Sequence, residues 1–195
     1  MKILGAIIAG GKSGRMGGQE KAFLELGGRT LISHIVQRLR PQVDQIIINA
    51  NGDAARFHTM GLHVVADQIE SGGTPLAGLE AVLSHAAARG FDALISVPSD
   101  TPFLPLDLVV RLSGSQAAVA VSAGQEHYLT GFWSSSLAES LHGEITQKNL
   151  RRVRDWFRIC GARKVEWDSK PFDPFFNINT PNDLALAQNW INSVP

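Results

Sequence analysis

A chain of 195 residues buries about 70% of the surface its unfolded form exposes, so one core is expected to hold it without metal or disulfide staples. Hydrophobic residues at 44% and charged residues at 18% exclude a disordered or fibrous protein. With 18 lysines and arginines against 18 aspartates and glutamates there is no basic excess, which excludes a general binder of nucleic acid or membrane surfaces and requires any anion site to be local.

The elements follow in chain order. Met1 to Ile8 (MKILGAII) is a continuous apolar run that predicts a strand buried on both faces. It is too short for a signal peptide or a membrane span, and Cys160 alone cannot form an internal disulfide, so a reducing cytoplasmic setting and an inert thiol are expected. Thr30 to Leu39 places Leu31, Ile35 and Leu39 on one side of a helix that Pro41 stops. Strands are predicted over Val43 to Asn49 and Leu62 to Ala66, with a short helical stretch between them. Pro75 to Ala88 opens on proline and closes on Arg89-Gly90, a helix, and Ala93 to Val97 is the next strand. Strand and helix alternating with short connections argue for a parallel sheet covered on both faces.

Beyond Leu112 the rhythm changes. Ala117 to Ser122 and Tyr128 to Trp133 read as two strands around Gly124, an antiparallel pair. Gln147 to Phe157 predicts a helix, Ala162 to Trp167 a strand, and Thr180-Pro181 opens a closing helix after the aromatic turn PFDPFFNIN. Without repeats or linkers, residues 1–195 are expected to form one domain.

Ile7 to Lys21 (IIAGGKSGRMGGQEK) concentrates five glycines and three basic residues behind the first strand. A P-loop needs a glycine five positions before Gly11-Lys12-Ser13, where Ala6 stands, and no start within Gly5 to Gly18 satisfies GxGxxG. A third pattern is AGGxSxRMGxxxK, with Ala9, Gly10, Gly11, Ser13, Arg15, Met16, Gly17 and Lys21, which resembles the signature of nucleotidyltransferases that bind a nucleoside triphosphate at the carboxyl end of their first strand. Glycines let backbone N–H groups approach a triphosphate, and Arg15 and Lys21 balance the charge that moves onto a leaving pyrophosphate. A surface loop with solvated basic residues is the plain alternative.

Other strand ends carry matching chemistry. Asp100, in VPSDTP just past a buried strand, supplies a carboxylate where open α/β sheets bind ligands, suited to Mg2+ beside phosphate oxygens. Asn49-Ala50-Asn51 and Asp67 end the second and third strands; each alone is an ordinary turn residue, and their repetition favours ligand contact. Gly72 to Gly78 (GGTPLAG) either packs against a planar base or simply starts a helix.

In order, IAGGKSGRMGGQEKAFLELGGRTLI, INAN, VVAD, GGTPLAG, PSDTPFLP and FFNINTPNDL resemble the motifs of the molybdenum cofactor guanylyltransferases, from about Leu4 to about Trp190. The resemblance implies a Rossmann-like three-layer α/β sandwich of the nucleotide-diphospho-sugar transferase type, mostly parallel with an antiparallel part in its second half. It implies transfer of GMP from GTP to the terminal phosphate of molybdopterin, with Mg2+ as cofactor. By motif, Ile8, Ala9, Gly10 and Gly11 correspond to GTP contacts, Lys21 to a phosphate contact, Asn49 and Asp67 to nucleotide contacts, and Asp100 to the Mg2+ ligand. Arg15, Lys21 and Asp100 are expected to form the catalytic set, and the resemblance puts Asn177 and Asn179 on the molybdopterin side. Residues to about 112 form the GTP half and residues from about 113 the molybdopterin half. A monomer is expected, with transient contacts to molybdoenzyme chaperones or molybdopterin-delivering proteins, and with neither nucleic acid nor membrane as partner.

No Ser-His-Asp arrangement is evident in the sequence, and the reaction needs no general base, because the attacking phosphate is already anionic. The family usually has proline after the position of His127, where this chain has Tyr128-Leu129-Thr130, so His127 is equally well an ordinary loop histidine. Lys148, Arg151, Arg152, Arg154 and Arg158 read as the solvated face of one helix, or as a dock for the anionic pterin phosphate or a protein partner. The rivals are a cytidylyltransferase, which typically has Ala-Ala-Gly in place of Ala9-Gly10-Gly11, a sugar-1-phosphate nucleotidyltransferase, and a non-catalytic cofactor carrier.

Overall fold

A computed structural model describes residues 1–9, 15–16, 19–69 and 74–193, with residues 15–16, 19–20 and 192–193 described by backbone alone. Seven strands form the main sheet: β1 (Ile3–Ile8), β2 (Gln45–Asn49), β3 (His63–Val65), β4 (Ala93–Pro98), β5 (Ala117–Ser122), β6 (Gln125–Ser134) and β7 (Arg163–Trp167). Their order across the sheet is β7-β5-β6-β4-β1-β2-β3. β1 runs parallel to β2 and β4, β2 to β3, and β5 to β7, whereas β6 is antiparallel to both of its neighbours. The expected mostly parallel sheet with an antiparallel part in its second half is therefore present.

All six residues of β1 are buried because the strand serves two faces. Ile3 and Ile7 pack on one side with Ile32, Ile35 and Leu39 of helix α1 (Leu31–Leu39) and with Leu108 and Leu112 of α3 (Leu108–Leu112). Leu4, Ala6 and Ile8 pack on the other with α2 (Pro75–Ala88). Helix α2 is apolar almost all round, as a helix must be when it lies between a sheet and a further helix, here α4 (Ala138–Lys148). Thr30 caps α1 by accepting the Ser33 N–H.

One expectation is corrected. In place of a single helix over Gln147 to Phe157 there are two, α4 and α5 (Val153–Ile159), separated by Asn149 in the left-handed region at φ 58°. Asparagine tolerates this conformation, and its N–H donates to Glu144 O, closing α4. The apolar spacing of Leu150, Val153 and Phe157 spans the break and mimics a continuous helix. The basic residues are thus not one helical face: Lys148 pairs with Glu144 at 2.6 Å on α4, whereas Arg154 and Arg158 lie 3.8 and 4.0 Å from Asp155 on α5. Cys160, just past α5, is half-buried, and that burial raises its thiol pKa.

The closing segment folds back over the start of the chain. Ile178 and Ala187 join Leu24, Leu26, Leu31 and Phe103 in a third cluster. Trp190 of helix α6 (Pro181–Ser193) stacks on Phe172 and meets Phe176 edge-on, with ring centres 5.4 and 4.8 Å away. This packing carries Asn177 to Asn179 to the carboxyl edge of the sheet. Among the described residues no helix is long and apolar enough to cross a membrane.

Candidate active site

β1 lies between β2 and β4, and the carboxyl ends of β1 to β4 open on one edge, where α/β sheets bind ligands. The ladder continues just past the strands: the Ala9 N–H donates to Asn49 O (2.8 Å) and the Ser99 N–H to Ile8 O (3.1 Å). Ile8 and Ala9 therefore stand where the loop leaves the sheet. Gly10, Gly11 and the Arg15 side chain lie outside the described residues.

Lys21 begins a single 3-10 turn and is only 9% exposed. Its Nζ donates to Asn179 Oδ1 at 2.6 Å, across 158 residues of sequence. Asp100 sits beyond β4 with Oδ1 buried and without a hydrogen-bond partner. Burial raises its carboxyl pKa, and the Lys21 charge opposes that rise. The Ile178 N–H donates to Asp100 O (2.9 Å), fastening the closing segment to the same place. Asp183 accepts from the Asn179 and Thr180 N–H groups at 2.9 and 2.8 Å, a capping arrangement that fixes the Asn179 backbone. Lys21, Asp100 and Asn179 are thereby brought together.

A second cluster occupies the ends of β2 and β3. Asn49 is fully buried, and its Nδ2 donates to Val65 O (3.1 Å) and to Asp67 Oδ1 (2.9 Å). Asn51 Nδ2 donates to Asp67 Oδ2 (2.9 Å), and the Asp67 N–H returns a bond to Asn51 Oδ1 (3.0 Å). The Asn49 side chain thus works through Asp67, which stands in front of it. Gly78 on α2 has a third role besides the two read from its sequence: a Cβ there would overlap Asn49 Oδ1 and lie 3.0 Å from its Cγ.

On the other side of Asp100 is a pocket of about 260 Å³ whose walls include Asp100, Glu126, His127, Tyr128, Thr130 and Asn177. His127 lies on β6 rather than in a loop, and the β5–β6 register shifts between His127 and Gly131. Ser96 Oγ donates to Leu129 O (2.7 Å), holding this bulge against β4. His127 Nε2 lies 2.7 Å from Ser122 Oγ, which in turn donates to Asp173 Oδ1 at 2.6 Å. The serine is in the middle of this chain and its hydroxyl donates to the carboxylate rather than to the imidazole, so the histidine is not placed to act as its base.

A family model described as a MobA-like NTP transferase domain matches residues 5–164. The chain belongs to the MobA-like NTP transferases. Within that family it is 41% identical over 192 residues to a molybdenum cofactor guanylyltransferase from Nitrobacter hamburgensis, covering 94% of this chain and 92% of that protein. A relative of the same description from Rhodopseudomonas palustris is 43% identical over 190 residues, covering 93% and 90%. The solved molybdopterin-guanine dinucleotide biosynthesis protein A of Archaeoglobus fulgidus has the same fold at TM-score 0.75 and 22% identity, covering 98% of this chain and 100% of that one. A 2-C-methyl-D-erythritol 4-phosphate cytidylyltransferase from Thermus thermophilus matches at TM-score 0.71 and 20% identity, covering 98% of each chain.

In this MobA-like NTP transferase, Ser122, Asp173 and Thr130 carry no signal of a site in the sequence. Ser122 ends an apolar strand and reads as a boundary residue, Asp173 lies in an aromatic turn, and Thr130 sits on a bulge that shifts its face. Asn51, which grips Asp67, was signalled by the NAN repeat.

Proposed function

We propose that the chain transfers GMP from GTP to the terminal phosphate of molybdopterin. An acceptor phosphate oxygen attacks the α-phosphorus, the bond to the β-phosphate oxygen breaks, and pyrophosphate leaves with the electron pair. The observation that carries this reading is the convergence of Lys21, Asp100 and Asn179 at the carboxyl edge between β1 and β4.

The backbone of Ile8, Ala9, Gly10 and Gly11 receives the triphosphate. Arg15 and Lys21 attract the leaving pyrophosphate, and the bond to Asn179 keeps the Lys21 ammonium in line. Asp67, held by the amides of Asn49 and Asn51, takes the nucleoside. The unpartnered buried oxygen of Asp100 fits Mg2+, a cation that takes one or two carboxylates and completes its shell from phosphate and water. When bound, Mg2+ neutralises phosphate charge and fixes the geometry of the α-phosphate. Asn177 and Asn179 face the molybdopterin side, residues to about 112 serve GTP, and those from about 113 serve the acceptor. Transient contacts with molybdopterin-delivering proteins or molybdoenzyme chaperones fit this role, as does a cytoplasmic location.

Calorimetry with GTP, CTP and ATP in the presence of Mg2+ tests the reading. GTP is expected to bind most tightly, with pyrophosphate released only when molybdopterin is added; tighter binding of CTP would overturn the guanylyl assignment.

A further inference from the structure

We propose, resting on the acceptor-side reading of the pocket beyond Asp100, that Ser122 and Asp173 are positioning residues that hold His127 in its Nε2–H tautomer. Nδ1 is then a hydrogen-bond acceptor at the pocket wall that selects a heterocycle bearing an N–H group, the aminopyrimidinone edge of a pterin.

The tautomer follows from counting protons. An ionised carboxylate only accepts, and Asp173 Oδ1 accepts both the Ser122 hydroxyl (2.6 Å) and the Phe175 N–H (2.9 Å). A hydroxyl has one proton, and that of Ser122 is committed to Asp173. The 2.7 Å contact between Ser122 Oγ and His127 Nε2 therefore has the imidazole as donor. In a neutral ring the lone pair is then on Nδ1, which has no partner among the described residues. Burial pushes the His127 pKa down, with the Asp173 charge opposing, which favours the neutral ring. Phe175, 5.0 Å from the imidazole, limits its rotation.

The other walls point to the same class of ligand. Among the described residues that line the pocket there is neither lysine nor arginine, and its polar groups are those of Asp100, Gln125, Glu126, His127, Tyr128, Thr130 and Asn177, which suit a hydrogen-bonding heterocycle. Thr130 Oγ1 is buried without a partner, and Thr130 is only 1% exposed. Buried polar atoms left unpaired are costly, and a ligand carrying N–H donors and a carbonyl satisfies them. The bulge between His127 and Gly131 is what turns residues 128–130 into this wall.

A purely structural role, in which Ser122 and Asp173 only pin the closing segment to β5, predicts different measurements. In the full-length chain, 15N NMR of His127 is expected to show a protonated Nε2 and a pyridine-like Nδ1, whose signal moves on adding 6-hydroxymethylpterin. Ser122→Ala is expected to mix the tautomers and to raise the pterin Kd and the KM for molybdopterin roughly threefold to tenfold, leaving GTP affinity unchanged. Asp173→Asn keeps the arrangement, because its oxygen must still face the Phe175 N–H and so still accepts from Ser122; it is expected to retain tautomer and pterin affinity. An Nδ1–H tautomer in the unaltered chain overturns the proposal. So does a pterin that leaves the His127 signals in place, or a Ser122→Ala variant that weakens GTP as much as pterin. If His127 reads the pterin but molybdopterin is not guanylylated, the proposed function fails and this assignment stands.

Discussion

Gly78 sets two effects of opposite sign against each other. It lies inside α2, where replacing glycine by alanine ordinarily stabilises a helix by about 0.5–1 kcal/mol. Here the added Cβ would land on Asn49 Oδ1, 3.0 Å from Asn49 Cγ and 3.4 Å from Ile8 Cγ2, and all three residues are buried. Forcing a group into a filled core costs about 1–3 kcal/mol, and displacing Asn49 forfeits its bonds to Val65 and Asp67, each worth about 0.5–1.5 kcal/mol. Packing outweighs propensity, so Gly78→Ala is expected to lose about 3 kcal/mol and lower Tm by roughly 6–12 °C. GTP affinity should fall with it, because Asp67 loses its backing. Calorimetric melting checks this against Gly143→Ala in α4, where nothing lies within 4 Å of the new Cβ and Tm should rise by roughly 1–4 °C. The decisive variant is Asn49→Ala with Gly78→Ala, in which the second change becomes nearly neutral. A Gly78→Ala chain as stable as the parent, or one whose loss persists without Asn49, would refute the packing argument.

The remaining predictions concern the charged groups. Lys21→Ala is expected to lower the rate of pyrophosphate release by roughly 10²-fold, with kcat and kcat/KM falling together if the ammonium acts mainly in the transition state; an unchanged kcat would remove it from the chemistry. For Asp100, burial raises the folded-state pKa above the ordinary 3.8, so the folded chain holds its proton more tightly than the unfolded one. Its contribution to stability is therefore present below that value and declines as pH rises through the folded pKa. Asp100→Asn should melt higher than the parent at neutral pH, with the gap closing in acid, while Mg2+ stabilises only the parent and turnover is lost; a variant that melts lower at neutral pH than the parent would contradict the burial argument.

How much of this was legible in the sequence depended on whether the signal was local. β1 and β4 announce themselves because strands buried on both faces read as unbroken apolar runs, and Asp100 is conspicuous as the carboxylate where such a run stops. Helix α2 was bracketed by Pro75 and Arg89-Gly90, and its span is the expected one. The break at Asn149 was hidden because apolar residues on both sides keep helical spacing while the backbone reverses hand. Gly78 was ambiguous because a clash with a side chain from another strand leaves no local trace.

The same distinction explains why the site was legible by residue but not by geometry. Lys21 and Asn179 are each visible, but their bond depends on α6 burying Ala187 in the cluster that also holds Leu24 and Leu26. That packing sets Lys21, nearly buried, near an Asp100 oxygen that has no partner of its own. A burial of this kind is unfavourable in a bare protein, because neither charge has its full complement of water or hydrogen bonds. Asp100 Oδ1 and Thr130 Oγ1 both lack a hydrogen-bond partner; under the proposed reaction a metal-bound triphosphate would supply one to the first and a heterocycle one to the second. Local rules are broken at two adjacent points on one sheet edge, where the proposed reaction would have its two substrates meet, and the surrounding core is arranged to keep them so.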